Sequence, residues 1–94
     1  MSQSGSPHLH LRVITPGRLL VDAEVDEVAL PGLEGELGIL PGHRPLFTAL
    51  GKGRLLYRVA GSEQQSEVKG GYAEIGPESV LVFTALSEDE EHRS

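Results

Sequence analysis

Glycine and proline interrupt this 94-residue chain so often that they limit what it can fold into. The sequence holds 12 glycines and 6 prolines, residue types that mark turns and end regular elements. They leave no apolar-periodic window long enough for a stable helix. Short strands joined by turns are therefore the structure that this spacing favours.

The first regular segment, residues 8–15, reads HLHLRVIT and alternates strictly. Its apolar side chains Leu9, Leu11 and Val13 fall on one face, and its polar side chains fall on the other. Alternation with a period of two is typical of a half-buried strand. Further strands are predicted at residues 18–23, 25–30, 35–39, 46–50, 54–59, 64–69, 72–75 and 80–85.

One open sheet of so many short strands would leave both of its faces exposed to water. We therefore predict two sheets packed face to face, which bury the apolar side of each strand. The expected fold is all-β, an antiparallel β-sandwich or flattened barrel of about eight to ten short strands. Segments 54–59 and 79–85 are the most apolar and are expected to be central. Residues 8–86 form the domain, residues 1–7 a frayed amino terminus, and residues 87–94 an acidic tail.

Composition excludes several classes of function. The chain has no cysteine, so disulfides and thiolate metal sites are not expected. Its net charge is −6, but residues 87–91 (SEDEE) carry four of those charges. A mildly acidic body argues against a nucleic-acid partner. We see no leader peptide and no apolar run of membrane-spanning length, so neither export nor membrane insertion is expected.

Histidines provide one candidate metal site. His8 and His10 lie on the same predicted strand face, about 6.6 Å apart by strand rise. His43 is a conceivable third ligand. The alternative is that these histidines are ordinary solvent-facing side chains on the outer face of the strand. The sequence has no adjacent cluster of His, Cys or carboxylate ligands to support the metal hypothesis.

Other catalytic patterns are weaker still. Glu34 and Glu36 share a face of an extended segment, but nothing nearby supplies the desolvated cleft that a general acid needs. No serine lies in a Gly-x-Ser-x-Gly elbow, and Gly51–Gly53 is too short for a phosphate-binding loop and is typical of a hairpin turn. We therefore expect neither an enzyme nor a bound cofactor.

The stretch from residue 31 to residue 45 holds four glycines and three prolines. It is long for a connection in a compact domain, and long connections are commonly functional. Leu37, Ile39 and Leu40 are not all expected to point inward, and the flanking prolines stiffen the backbone. From these residues alone, a protein-binding loop and an ordinary connection both stay open.

A resemblance extends this interpretation. Residues 34–45, EGELGILPGHRP, resemble the signature segment of the epsilon subunit of bacterial F-type ATP synthases. The upstream segment LHLRVITPGRLLVDAEVDEVALPG and the downstream segment GGYAEIGPESVLVFTAL follow the order and spacing of that family. The resemblance covers about residues 9–86, nearly the whole chain.

The resemblance implies a non-catalytic rotor subunit with no cofactor. Its domain would be a sandwich of two five-stranded sheets, bound to the gamma subunit and to the polar, partly basic loops of the c-ring. It would lie at the cytoplasmic face of the bacterial inner membrane, held there only through the complex. By motif position Glu36 would face the c-ring, and Glu34 and Arg44 would flank the contacts. The implied gamma contacts are Leu37, Gly38, Ile39, Pro41, Gly42 and His43.

The chain departs from the family pattern after its last predicted strand. Typical members continue into two carboxy-terminal helices that restrain ATP hydrolysis and, in some members, bind ATP. Here residues 87–94 follow instead, so we expect no inhibitory or nucleotide-sensing role from them. Three questions stay open: whether the subunit serves a sodium-translocating ATPase instead, whether a small metal-binding sandwich uses His8 and His10, and whether the isolated domain self-associates.

Overall fold

The computed structural model describes residues 8–85, which form nine β-strands and no helix. The strands are β1 (Leu9–Thr15), β2 (Arg18–Val25), β3 (Glu27–Gly32), β4 (Gly35–Ile39), β5 (Leu46–Ala49), β6 (Lys52–Val59), β7 (Ser62–Lys69), β8 (Tyr72–Ile75) and β9 (Ser79–Phe83). Within this part of the chain, no helix is long and apolar enough to cross a membrane. The predicted tail (87–94) and frayed amino terminus (1–7) lie outside the described residues.

The strands form two sheets, as predicted. One has five strands in the order β2-β1-β9-β8-β5, and the other has four in the order β4-β3-β6-β7. The resemblance implied five strands in each, so the second sheet is one strand short in the described residues. All pairings are antiparallel except β1 with β9, which is parallel. As expected, β9 and β6 occupy interior positions in their sheets.

The core lies between the sheets because the alternating apolar side chains of both point inward. Leu9, Leu11 and Val13 of β1 are fully buried, which confirms the predicted inner face of that strand. They pack in one cluster with side chains from both sheets, including Leu30, Ile39, Leu55, Val68, Val80 and Val82. Burial of aliphatic side chains at this density is the main stabilising contribution to folding.

Several predicted strand ends were displaced. The break between β2 and β3 falls at Asp26 and not before Val25, since Val25 is buried opposite Leu9. Strand β6 begins at Lys52, so residues 51–53 are not the hairpin turn we predicted. Strand β7 begins two residues early because residues 60–61 alone turn the chain. Strands β5 and β9 end earlier than predicted, at Ala49 and Phe83.

The stretch from residue 31 to residue 45 is not one long loop. Its first part completes β3, turns at Leu33 and Glu34, and returns as β4, with Gly32 paired to Gly35. Only residues 40–45 remain as an irregular connection between β4 and β5. The length of this segment is therefore no sign of function, because most of it is a hairpin whose backbone N–H and C=O groups are hydrogen-bonded between the two strands.

Candidate interaction surfaces

Strand β4 is one edge strand of the four-stranded sheet, and strand β5 is one edge strand of the five-stranded sheet. Residues 40–45 connect them and so pass from one sheet to the other. We call β4, β5 and this connecting loop the β4–β5 edge. The Gly42 amide donates to the Pro77 carbonyl at 2.7 Å, and the His43 amide donates to the Leu40 carbonyl at 3.2 Å. The first bond holds the loop against the turn between β8 and β9, and the second closes a turn within the loop.

The alternation of β4 divides the candidate residues into two groups. Glu36 and Gly38 are exposed, Leu37 is half-buried, and the side chain of Ile39 is only 1% exposed. Ile39 belongs to the core cluster, so its side chain offers no surface to a partner. We therefore remove Ile39 from the expected gamma contacts, because strand parity directs it inward.

The structure places the remaining candidates at opposite ends of β4. Glu34 lies in the turn before the strand and Glu36 is its second residue, whereas Pro41, Gly42 and His43 follow its last residue. A strand of this length spans about 16 Å. The sequence predicted one docking face, whereas in the fold the candidate residues fall into two separate groups.

The turn end of β4 carries apolar and acidic side chains together. Leu33 is 68% exposed and Phe47 is 64% exposed. Both line a shallow concave surface with Glu34, Glu36 and Leu37. We call the part of this surface formed by Leu33, Glu34 and Glu36 the hairpin tip; Leu37 and Phe47 border it. Its composition suits a protein partner that combines positive charge with apolar atoms.

The carboxylates of the hairpin tip differ from those of the neighbouring strands in their ion pairing. Among residues 8–85 neither Glu34 nor Glu36 lies in an ion pair, whereas Glu27 accepts a hydrogen bond from Arg58 at 3.0 Å. An exposed carboxylate with no internal partner keeps its charge available for an external cation.

An aromatic row on the outer face of the five-stranded sheet was not predicted. The ring centroids of Phe47 and Tyr72 lie 5.0 Å apart, and those of Tyr72 and Phe83 lie 4.9 Å apart. Cross-strand pairing continues the row through Ile14 to Leu19, which is 53% exposed. The row therefore crosses all five strands and makes an apolar band of the kind that marks interaction sites.

The sequence alone could not reveal this row because its members are distant in the chain. Phe47, Tyr72 and Phe83 come from three strands whose neighbours are set by the sheet order. A partial signal existed, since all three fall at positions where strand alternation places a side chain outward. Their convergence depends on the register, which the sequence did not specify.

The loop end of β4 presents polar and backbone groups. His43 Nδ1 donates to the Arg44 carbonyl oxygen at 2.6 Å, so this nitrogen carries a proton. Arg44 itself is exposed. Pro41 and Gly42 line a cleft with His8 and His10, which places the loop beside the outer face of β1.

The two histidines of the metal hypothesis are engaged by separate carboxylates. His8 Nε2 lies 3.6 Å from Asp26. His10 lies between two partners, with Nε2 at 2.5 Å from Asp22 and Nδ1 at 2.8 Å from Glu24. Carboxylates on opposite sides of one ring do not converge on a single ion. In the described part of the chain, no group of three or more potential ligands is placed to hold a metal.

Comparison with known proteins gives a family match over most of the chain. Residues 8–89 match the model of the ATP synthase delta/epsilon chain beta-sandwich domain. The ATP synthase epsilon chain of Nitratidesulfovibrio vulgaris (strain DSM 19637 / Miyazaki F) is 44% identical over 80 residues, which cover 85% of this chain and 60% of the relative. That of Solibacter usitatus is also 44% identical with the same coverage. The chain thus spans about 60% of the length of these curated relatives.

Solved structures share the fold at low sequence identity. A chain in the Euglena gracilis mitochondrial ATP synthase (OSCP/F1/c-ring) superposes with a TM-score of 0.78 and 22% identity, covering 89% of this chain and 54% of that one. A chain of the Tetrahymena thermophila central stalk and c-ring gives a TM-score of 0.68 and 15% identity, covering 92% and 70%. Together with the sandwich architecture, the family match assigns the domain. The chain belongs to the ATP synthase delta/epsilon family, whose beta-sandwich domain it contains.

Proposed function

We propose that this chain is a rotor subunit of an ATP synthase that joins the gamma subunit to the c-ring and so couples ion-driven rotation to ATP synthesis. The observation that carries the proposal is the family match over residues 8–89. The two separate surfaces at the ends of β4 support it, because a connector must hold two neighbours at once. The role is mechanical and non-catalytic, at the cytoplasmic face of a bacterial inner membrane.

The hairpin tip is the surface proposed to meet the c-ring. Glu36 is exposed on β4 without an internal ion pair in the described residues, and Glu34 flanks it. A carboxylate opposite a basic loop sets register and speeds association more than it adds affinity. One such pair at a wet rim contributes about 1 kcal/mol or less, so Glu36 tunes the contact.

The loop end of β4, strand β5 and the aromatic row are proposed to bind gamma. Attachment under torque requires apolar packing over an interface of about 1,500 Å² in total. Phe47 on β5 is the exposed start of the aromatic row, and Leu40 in the loop is 59% exposed. The proposed gamma surface therefore runs from Leu37 and Gly38 through Pro41, Gly42 and His43 to Phe47, with Arg44 at its margin.

Binding to each purified partner tests the proposal. The chain is expected to bind gamma and the c-ring separately, as measured by biolayer interferometry. Phe47→Asp should weaken binding to gamma at least about tenfold because it places a charge in an apolar contact. Glu36→Gln should weaken binding to the ring by up to about fivefold, the equivalent of 1 kcal/mol.

Gln65→Asp is the matched control, since Gln65 is exposed on the opposite edge strand β7. It should leave both affinities within about twofold of the wild-type values. A wild-type chain that binds neither partner, or a Phe47→Asp variant that binds gamma normally, would contradict the proposal.

A further inference from the structure

The connecting loop (residues 40–45) begins with a tight turn whose conformation depends on Gly42. The His43 amide donates to the Leu40 carbonyl at 3.2 Å, Pro41 holds the second position, and Gly42 at the third position has a φ of 90°. These are the features of a type II turn, which requires positive φ at its third residue. A Cβ at Gly42 would meet nothing within 4 Å, so the backbone conformation and not the available space requires glycine here.

The same turn directs the Gly42 amide out of the loop. That amide donates to the Pro77 carbonyl at 2.7 Å, and among residues 8–85 it makes the only hydrogen bond from residues 40–45 to another part of the chain. Type I and type II turns differ by about 150° in ψ of the second residue, a rotation that turns over the peptide before the third residue. A type I turn at residues 40–43 would therefore point the Gly42 amide away from Pro77.

The turn between β8 and β9, which carries this acceptor, is itself held on two sides. The Gly76 amide donates to the Ser79 carbonyl at 2.8 Å and closes the turn, and the His10 amide of β1 donates to the Glu78 carbonyl at 2.9 Å. The proline ring at Pro77 fixes a further backbone dihedral. The Pro77 carbonyl is therefore a fixed acceptor, joined to the five-stranded sheet, for a loop whose other hydrogen bonds in the described structure are internal.

We propose that the turn between β8 and β9 positions the connecting loop for gamma, because the Pro77 carbonyl selects the type II conformation of residues 40–43. Pro77 is then a positioning residue for binding, and Gly42 acts through its backbone and not as a contact. This inference rests on the proposed function and names what fixes one of its surfaces.

Preorganisation is the physical reason for such a device. Leu40, which is 59% exposed, begins the turn and His43 ends it, so the turn conformation sets where both side chains lie. A loop that is already held in its bound conformation loses less entropy when the partner binds. If only a fraction of the molecules hold that conformation, the apparent affinity falls by the same fraction.

One methyl group in two configurations at residue 42 tests the inference in the full 94-residue chain. Gly42→Ala adds it to a residue that disfavours positive φ, so a type I turn competes and the bond to Pro77 is weakened. D-alanine at the same position, introduced by chemical synthesis, prefers positive φ and should keep the turn.

Two measurements compare these chains. The protection factor of the residue 42 amide against hydrogen exchange should fall at least about fivefold in Gly42→Ala and stay within about twofold with D-alanine. Gamma binding, measured by biolayer interferometry, should weaken about threefold to twentyfold in Gly42→Ala and stay within about twofold with D-alanine.

Pro77→Gly tests the acceptor side of the bond. It keeps the carbonyl but releases the backbone of the turn, so the protection of the Gly42 amide and the affinity for gamma should both fall about threefold to tenfold. Pro16→Gly is the matched control, because Pro16 lies in the two-residue turn between β1 and β2 and has no hydrogen bond to the loop. It should leave both quantities within about twofold of the wild-type values.

The outcomes separate the inference from the proposed function. Equal weakening of gamma binding by both alanine configurations would indicate a direct contact at residue 42 and would overturn the inference. Normal gamma binding by either Gly42→Ala or Pro77→Gly would also overturn it and leave the proposed function intact. A wild-type chain that does not bind gamma would overturn both.

Discussion

Two buried threonines near the ends of β1 and β9 differ in the hydrogen bonding of their hydroxyl groups. Thr84 is 6% exposed, and its Oγ1 accepts a hydrogen bond from the Lys69 amide at 2.8 Å. Thr15 is 2% exposed, and its Oγ1 has no partner in the described structure. The first hydroxyl links the two sheets, whereas the second is buried without compensation.

Valine substitutions should therefore change stability in opposite directions. Thr15→Val keeps the shape of the side chain and removes an unpaired polar group, so it should raise the free energy of unfolding by about 1 kcal/mol. Thr84→Val leaves the Lys69 amide without its acceptor and should lower it by about 1–3 kcal/mol. Urea unfolding of both variants measures the difference, and equal effects would contradict this assignment.

Gly71 marks the closest backbone approach that a glycine makes in the described residues. Its φ is +101°, and a Cβ there would lie 1.9 Å from the Phe83 carbonyl oxygen. Gly71→Ala should lower the free energy of unfolding by about 2–4 kcal/mol, from backbone strain and forced displacement of β9. Gly38→Ala serves as the control in the same urea titration, and a similar loss in both variants would contradict the argument.

At the scale of elements, the turn between β6 and β7 is built from Ala60 and Gly61. Their φ values are 50° and 84°, and Val59 pairs with Ser62 on either side. Two central residues with positive φ define a type I′ turn, which prefers Asn-Gly. Ala60 is the only non-glycine residue with positive φ in residues 8–85, so the turn holds some strain.

Ala60→Asn should relieve part of that strain and raise the free energy of unfolding by about 0.5–1 kcal/mol. Ala60→Val should lower it, because a β-branched side chain tolerates positive φ poorly. Differential scanning calorimetry of both variants reports the sign. A stabilised Ala60→Val variant would show that the turn changes conformation on substitution.

The strands themselves were largely predictable because alternation is a local property. The inner face of β1 followed from the spacing of Leu9, Leu11 and Val13, and all three are buried. The predicted strand ends were less accurate, because Val25 and Lys52 are held in their strands by pairing partners that are distant in sequence. The parallel pairing of β1 with β9 is likewise a property of the assembled sheet, with no local signal.

The candidate site was predictable only in part. Glu36 and the loop residues Pro41, Gly42 and His43 came from the resemblance, and the structure places them at opposite ends of β4. The strand placed at residues 35–39 is confirmed as β4, but that separation and the burial of Ile39 became evident only in the structure. The aromatic row could be found only from the order of the strands. Whether a glycine can be replaced depends on the atoms around its Cβ position, which only the structure gives.

In the whole molecule, the two candidate surfaces lie on one sandwich whose sheets share a single core. Ile39 of β4 and Leu50, which directly follows β5, belong to this core, so both strands are anchored to it. The hairpin tip is acidic and apolar, the loop end presents polar and backbone groups, and the aromatic row is apolar. Different chemistry at the two surfaces favours two different partners.

A titration shows whether the chain holds gamma and the c-ring at the same time. The purified c-ring is added to a preformed complex of this chain with gamma, and the masses of the species are followed by mass photometry. We expect a ternary complex, in which the ring is bound at least as tightly as it is bound by the free chain. Displacement of gamma by the ring would mean that the two partners share one surface, and would contradict the account.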